Sequence, residues 1–186
     1  PTDEINFPIF SLVGGKWTTF RAFAHQTVDV LLPRLGVERK SDTTALAIGG
    51  GKNYPQSEAA KQAWLDQLQA QTSLDSARLR VLFERYGTYA ATVAAYIAAG
   101  EDASLEHAPS YSQREIRFLI EKEQVTRLDD LVLRRTLFGM LGQVTAPLLD
   151  ALGALCAEVL GWSAEQTQAE IQRTADLLTQ HHRARL

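Results

Sequence analysis

The 186-residue sequence contains a single cysteine, Cys156, which excludes an internal disulfide. Cys156 lies in an apolar helical run, a setting that suits a small buried hydrophobe in a reducing compartment. Nowhere is there a run of about 18 uninterrupted apolar residues, so no segment reads as a membrane span. Positive charge is not in excess: the net charge is −3 and no large basic stripe is visible, which gives no electrostatic ground for a nucleic-acid partner. A fixed-period repeat is missing, which excludes a solenoid. An EF-hand loop is missing too, and the adjacent His181 and His182 diverge on a helix, so no metal site is expected.

What is present is ordinary for a soluble globular protein, with 45% hydrophobic and 22% charged residues. The length suits one core plus an appendage. The chain opens on Pro1, and P-T-D-E-I-N-F-P reads as an interior loop without the parts of a secretory leader, so the expectation is a piece of a longer protein.

Two unequal parts are expected, 1–54 and 55–186. In the first, Ile9, Phe10, Leu12 and Val13 suit a strand buried on both faces, and a helix from Thr18 to about Leu32 carries Phe20, Phe23 or Ala24, Thr27 or Val28, and Leu31 along one side. Pro33 and Gly36 end that helix, and Ala45–Ile48 is a candidate short strand. A strand and a helix alone imply a covered sheet. After Pro55 the pattern is helical throughout. Ser57 caps a helix to about Gln71, with Ala60, Trp64 and Leu68 along one face, and Asp75 caps the next. Thr88–Ala99 is a small-residue helix. Ser112 with Glu115 has the capping-box spacing, as does Ser163 with Gln166. Asp129–Met140 and Pro147–Leu160 complete a bundle of about five to seven helices. The fold class is therefore mainly α, a helical bundle preceded by a strand–helix element of an α/β domain.

The most informative stretch is Leu12–Arg21, L-V-G-G-K-W-T-T-F-R. A short apolar run ends in Gly14 and Gly15, Lys16 and Trp17 follow, and Thr18 and Thr19 open a helical pattern. A strand, a glycine turn and a hydroxyl-capped helix start turn backbone amides toward a ligand, and with Lys16 they favour an electron-rich or anionic one. The phosphate-loop spacing is not met. Phe10 stands where the first glycine is required, and Trp17 separates Lys16 from the hydroxyl residue. The purely structural reading of the same residues is a tight turn with Lys16 solvated.

G-G-K-W-T-T-F-R, Gly14–Arg21, closely resembles the last flavin-binding segment of the FAD-dependent glycerol-3-phosphate dehydrogenases. R-Y-G at Arg85–Gly87 resembles a helix end in that family's C-terminal domain. So does the block Glu115–Arg127 with Glu121, Glu123 and Val125, followed by D-D-L-V-L-R-R-T (Asp129–Thr136), Gly139, and Gly161 with Trp162. These matches run in order over essentially the whole chain. The resemblance implies that Gly14, Gly15, Lys16, Trp17, Thr18 and Thr19 bind the cofactor. When a hydride reaches flavin N5, negative charge develops around N1 and the C2 carbonyl, and amides near Thr18 and Thr19 would stabilise it without reorganising. Glycines let the backbone approach, Lys16 supplies a cation to the flavin or to the substrate phosphate, and Arg21 is a positioning or ion-pairing candidate.

The resemblance further implies a parent enzyme that oxidises sn-glycerol 3-phosphate to dihydroxyacetone phosphate with FAD and a quinone acceptor. It would act as a peripheral protein at the cytoplasmic, inner face of a bacterial cell membrane and could be a homo-oligomer. A related oxidase, which delivers electrons to oxygen, shares the same segments. The dinucleotide glycine fingerprint and the substrate-holding arginine and histidine residues have no counterpart here, so the piece itself is expected to be inactive and to bind FAD weakly or not at all. The alternative is a non-catalytic helical protein-interaction module. Asp129, Asp130, Arg134 and Arg135 then either bind a partner or form a charged network between helices.

Overall fold

The computed structural model describes residues 7–14 and 16–184, and the chain divides into two compact units, Pro1–Ile48 and Gly49–Leu186. In the first unit a single 3-10 turn, Trp17–Thr19, leads into α1, Phe20–Leu31, and then into a second 3-10 turn, Leu32–Leu35. Pro33 fits the first turn of that last segment because its missing N–H has no partner to lose there. Gly36, at φ 67°, stops it and donates to the carbonyls of Leu32 and Pro33. Residues beyond Gly36 are tied back to α1 by two arginines. Arg21 donates to the carbonyls of Thr43 and Leu46, the latter at 2.9 Å. Arg39 pairs with Asp29 at 2.7 Å and donates to the His25 carbonyl at 3.0 Å.

The strand expected over Ile9–Val13 is not formed, nor is the one at Ala45–Ile48. A strand is held by ladder hydrogen bonds to a neighbour, and neither segment has such a neighbour among the described residues. Consequently Ile9, Leu12, Val13, Phe20 and Val28 stay exposed, and α1 buries none of its side chains.

The second unit is mainly helical, as its sequence pattern requires, and local caps set most of its boundaries. Ser57 accepts from the Ala60 amide at 3.2 Å and starts α2, Glu58–Thr72. Asp75 accepts from Ala77 and Arg78 and starts α3, Ser76–Tyr86. α4, Ala90–Ala98, follows through a 3-10 turn, and Ser112 starts α5, Gln113–Lys122. A short helix α6, Leu128–Asp130, continues as a π-helical turn, Leu131–Arg135. α7, Ala146–Leu160, ends at Gly161 in the left-handed region. α8, Ala164–His182, begins with the complete capping box of Ser163 and Gln166.

Packing follows chain order: α2 on α3, α3 on α4, α4 on α5, α5 on α7 and α7 on α8. Alanines at 90 and 94 let α4 lie close to its neighbours, and Leu79, Leu82, Phe83, Ile116, Phe118 and Leu148 fill the centre. On α2 the buried face is Leu65 and Leu68 with Trp64 partly covered, whereas Ala60 is exposed.

The helix expected over Asp129–Met140 stops at Arg135. Thr136 turns extended, and its hydroxyl donates to the carbonyls of Leu131 and Val132 at 3.0 and 3.2 Å, occupying the acceptors that would have continued the helix. Phe138 nonetheless reaches the core, with its ring 4.6 Å from that of Tyr111.

Cys156 is buried on α7, and desolvation pushes its thiol up to about 12. It is therefore expected to resist an aromatic disulfide reagent at neutral pH in the folded protein and to react at once in denaturant. Fast labelling of the folded chain would contradict that placement.

Candidate functional site

Lys16 is extended (φ −132°, ψ 129°) and stands at the head of the Trp17–Thr19 turn. Its carbonyl accepts from the Thr19 amide at 3.2 Å and from the Thr19 hydroxyl at 3.0 Å. The hydroxyl at the helix start therefore donates backward and does not cap: neither Lys16 nor Thr19 supplies a side-chain acceptor to the helix amides. The Thr19 amide, expected to face a ligand, is taken by the Lys16 carbonyl and the Phe20 amide by the Trp17 carbonyl, so the 3-10 turn itself satisfies the start of α1.

Gly14, Lys16, Trp17 and Thr19 line one cleft of about 320 Å³, together with Phe20 and Phe23 of α1. The two phenylalanines were legible only as a helix face, and here they form the apolar wall. Thr18 is exposed but does not line the cleft, and Gly15 lies outside the described residues. Trp17 is 92% exposed, so it is not a core residue of its own unit. Among the described residues, no packing contact requires a glycine at 14. A Cβ there would meet the Phe23 ring at 3.5 Å, an ordinary contact, and the backbone is not in the left-handed region. Arg21 has a structural duty instead, holding the Thr43 and Leu46 carbonyls.

In the helical unit the charged residues form two networks. The first centres on Glu115, which is fully buried. The capping-box spacing predicts that this carboxylate folds back on its own helix. Instead it accepts from Arg78, from Arg85 Nη1 at 2.9 Å and from the Tyr86 hydroxyl at 2.8 Å. The start of α5 is capped by the Ser112 hydroxyl, which accepts from the Glu115 amide, and by the Asp102 carboxylate, which accepts from the Arg114 amide at 2.9 Å. Burial, and then Glu115 itself, push the Tyr86 phenol far above its ordinary value, so Tyr86 remains a proton donor to the carboxylate. Glu115 escaped sequence reasoning because its arginines come from another helix and share no local pattern with it.

The second network joins the residues read from D-D-L-V-L-R-R-T. Asp129 pairs with Arg173 of α8, which also holds Glu170 at 2.9 Å. The Arg173 hydrogen bond is the main reason the Glu170 carboxyl lies below its ordinary value. Asp130 is 3.3 Å from Arg135 Nε and 3.6 Å from Arg134, and Arg135 Nη1 is 3.9 Å from Glu123. Asp129 thus ties two helices together, whereas Arg134 remains 61% exposed. No three His, Cys, Asp or Glu side chains converge on a metal-sized site among the described residues.

A family model described as the C-terminal domain of alpha-glycerophosphate oxidase matches residues 41–167. The glycerol-3-phosphate dehydrogenase of Mycobacterium leprae is 27% identical over 174 residues, covering 88% of this chain and 28% of the relative. The glycerol-3-phosphate dehydrogenase of Synechocystis sp. is 26% identical over 183 residues, covering 93% of this chain and 31% of the relative. The X-ray structure of the glycerol-3-phosphate dehydrogenase from Bacillus halodurans, complexed with FAD, shares the fold with a TM-score of 0.66 at 24% identity, over 89% of this chain and 34% of that one. This chain spans between 26% and 31% of the length of the curated relatives it matches.

Proposed function

The chain belongs to the family of the C-terminal domain of alpha-glycerophosphate oxidase, and on that premise we propose that it serves a flavoenzyme oxidising sn-glycerol 3-phosphate to dihydroxyacetone phosphate. FAD, when bound, supplies the acceptor for the hydride leaving C2 of the substrate, with a quinone taking the electrons onward. The residues of this chain do the holding. Gly14 lets the backbone come against a flat ligand, and Trp17, Phe20 and Phe23 give it an apolar wall. The Lys16 ammonium and the positive end of the helix dipole place positive charge where an electron-rich edge is to be stabilised.

The observation that carries this reading is the cleft at Gly14–Phe23. It joins a lysine, the start of a helix and a glycine that no packing contact among the described residues needs. Those residues fit a large, flat, partly anionic cofactor. The site is proposed to work in the cytoplasm, on a protein peripheral to the inner face of a bacterial membrane. No helix among the described residues is long and apolar enough to cross one. Delivery of electrons to oxygen is the second reading, favoured by the description of the matching family model. Oxygen uptake against quinone reduction, measured with the same substrate, separates the two.

Lys16→Ala in the intact gene product tests the residue at the centre of the proposal. The expected result is a fall of about a hundredfold in kcat/KM for glycerol 3-phosphate with folding unchanged, the size seen when one preorganised electrostatic contact is removed. Unchanged kcat/KM would make Lys16 a solvated turn residue.

A further inference from the structure

The helical unit carries a second set of cations that the flavin reading leaves unused. We propose that the cleft between α3 and the π-helical turn Leu131–Arg135 binds a phosphate monoester group.

Two adjoining clefts, of about 440 and 400 Å³, share Arg85, Tyr86, Arg134 and Arg135 as walls. Each lining holds three guanidinium groups against a single carboxylate, Glu84 in one and Glu123 in the other. The remaining acidic groups nearby, Glu115, Asp129 and Asp130, are largely buried behind the arginines and do not line either cleft. Because the clefts share the same three arginines, their joint lining sets three guanidinium groups against Glu84 and Glu123, an excess of positive charge of the sign that a phosphate monoester needs.

The three arginines are arranged for different tasks. Arg85 is preorganised: Nη1 lies 2.9 Å from Glu115, the guanidinium stacks 3.5 Å over the Tyr111 ring, and the side chain lines both clefts. Arg135 is held more loosely, at 3.3 Å from Asp130 and 3.9 Å from Glu123. Arg134 is 61% exposed and has only carboxylates at 3.6 and 3.8 Å, beyond hydrogen-bond length, so it can close over a bound group without breaking a short ion pair. Planar guanidinium forks match phosphate oxygens two at a time. The wide π turn carries the last two of these side chains, which line the cleft, and such turns are frequent at functional sites.

The test uses the 186-residue chain labelled with ¹⁵N, titrated with inorganic phosphate at an ionic strength held constant with sodium chloride. The arginine Nε–H signals of Arg85 and Arg134 are expected to shift saturably. Arg134→Gln, an exposed change that leaves the fold intact, should weaken binding by about tenfold or more. Sedimentation with vesicles of phosphatidic acid in phosphatidylcholine then identifies the source. Co-sedimentation lost in Arg134→Gln assigns a lipid headgroup, and phosphate binding without co-sedimentation assigns a soluble monoester; both support the site. Signals that respond to phosphate no more than to chloride, or a dissociation constant unaltered by Arg134→Gln, overturn it.

Discussion

Replacing Glu115 with alanine is expected to destabilise the helical unit by about 3–5 kcal/mol, the range for breaking a buried ion pair on one side. The carboxylate is fully buried and is shared by Arg78, Arg85 and the Tyr86 hydroxyl. Without it, two guanidinium groups that are themselves mostly buried face each other with no anion between them. A loss of that size is a large share of the roughly 5–15 kcal/mol that holds a typical domain together. Urea unfolding would read it as a much lower midpoint. Arg135→Ala supplies the contrast, because its ion pairs are long and a third exposed, and about 1 kcal/mol or less is expected there. Equal losses for the two variants would mean that the buried cluster anchors nothing.

Gly87→Ala is expected to cost about 3 kcal/mol or more through a different cause, the close approach of two backbones. Gly87 sits at φ 56°, ψ −138°, a conformation open almost only to glycine, and faces Gly50 at φ 78°. A Cβ at position 87 would come within 2.9 Å of the Gly50 carbonyl carbon and closer still to its oxygen. The same Gly50 carbonyl accepts from the Thr88 amide at 2.9 Å, and the Thr88 hydroxyl donates to the Lys52 carbonyl at 2.7 Å, so the Gly50 segment cannot move away without breaking those bonds. Gly142→Ala isolates the backbone part of the effect: its φ is 63° with nothing within 4 Å, and about 1–2 kcal/mol is expected. Thermal unfolding should rank Gly87→Ala well below Gly142→Ala. Similar melting temperatures would deny the Gly50–Gly87 contact any weight.

These two clusters mark where sequence reasoning runs out. Helix boundaries were legible wherever a cap lies within three or four residues of what it satisfies, as at Ser57, Asp75, Gly161 and the Ser163–Gln166 box. Ser112 was legible for the same reason, but Glu115 was not. Its partners are Arg78 and Arg85, and the preference for meeting them over its own helix is set by burial. Likewise R-Y-G at Arg85–Gly87 read as a helix end, yet nothing local says that Gly87 packs on Gly50. Leu131, Leu133, Leu137 and Phe138 have helical spacing. The single Thr136 hydroxyl, by taking two carbonyls, ends the helix before the spacing does. At the Gly14–Thr19 segment lysine, glycines and helix start are adjacent in the chain, and Gly14, Lys16, Trp17 and Thr19 share one cleft. What the sequence could not convey is that the threonine hydroxyl donates to the Lys16 carbonyl, leaving the helix start without a side-chain cap.

Anaerobic addition of sn-glycerol 3-phosphate to the purified intact gene product tests the flavin proposal most directly. The product is expected to carry FAD, and its visible flavin absorption should bleach on addition of the substrate. A product that holds no flavin, or a flavin spectrum that glycerol 3-phosphate leaves unchanged, would contradict it.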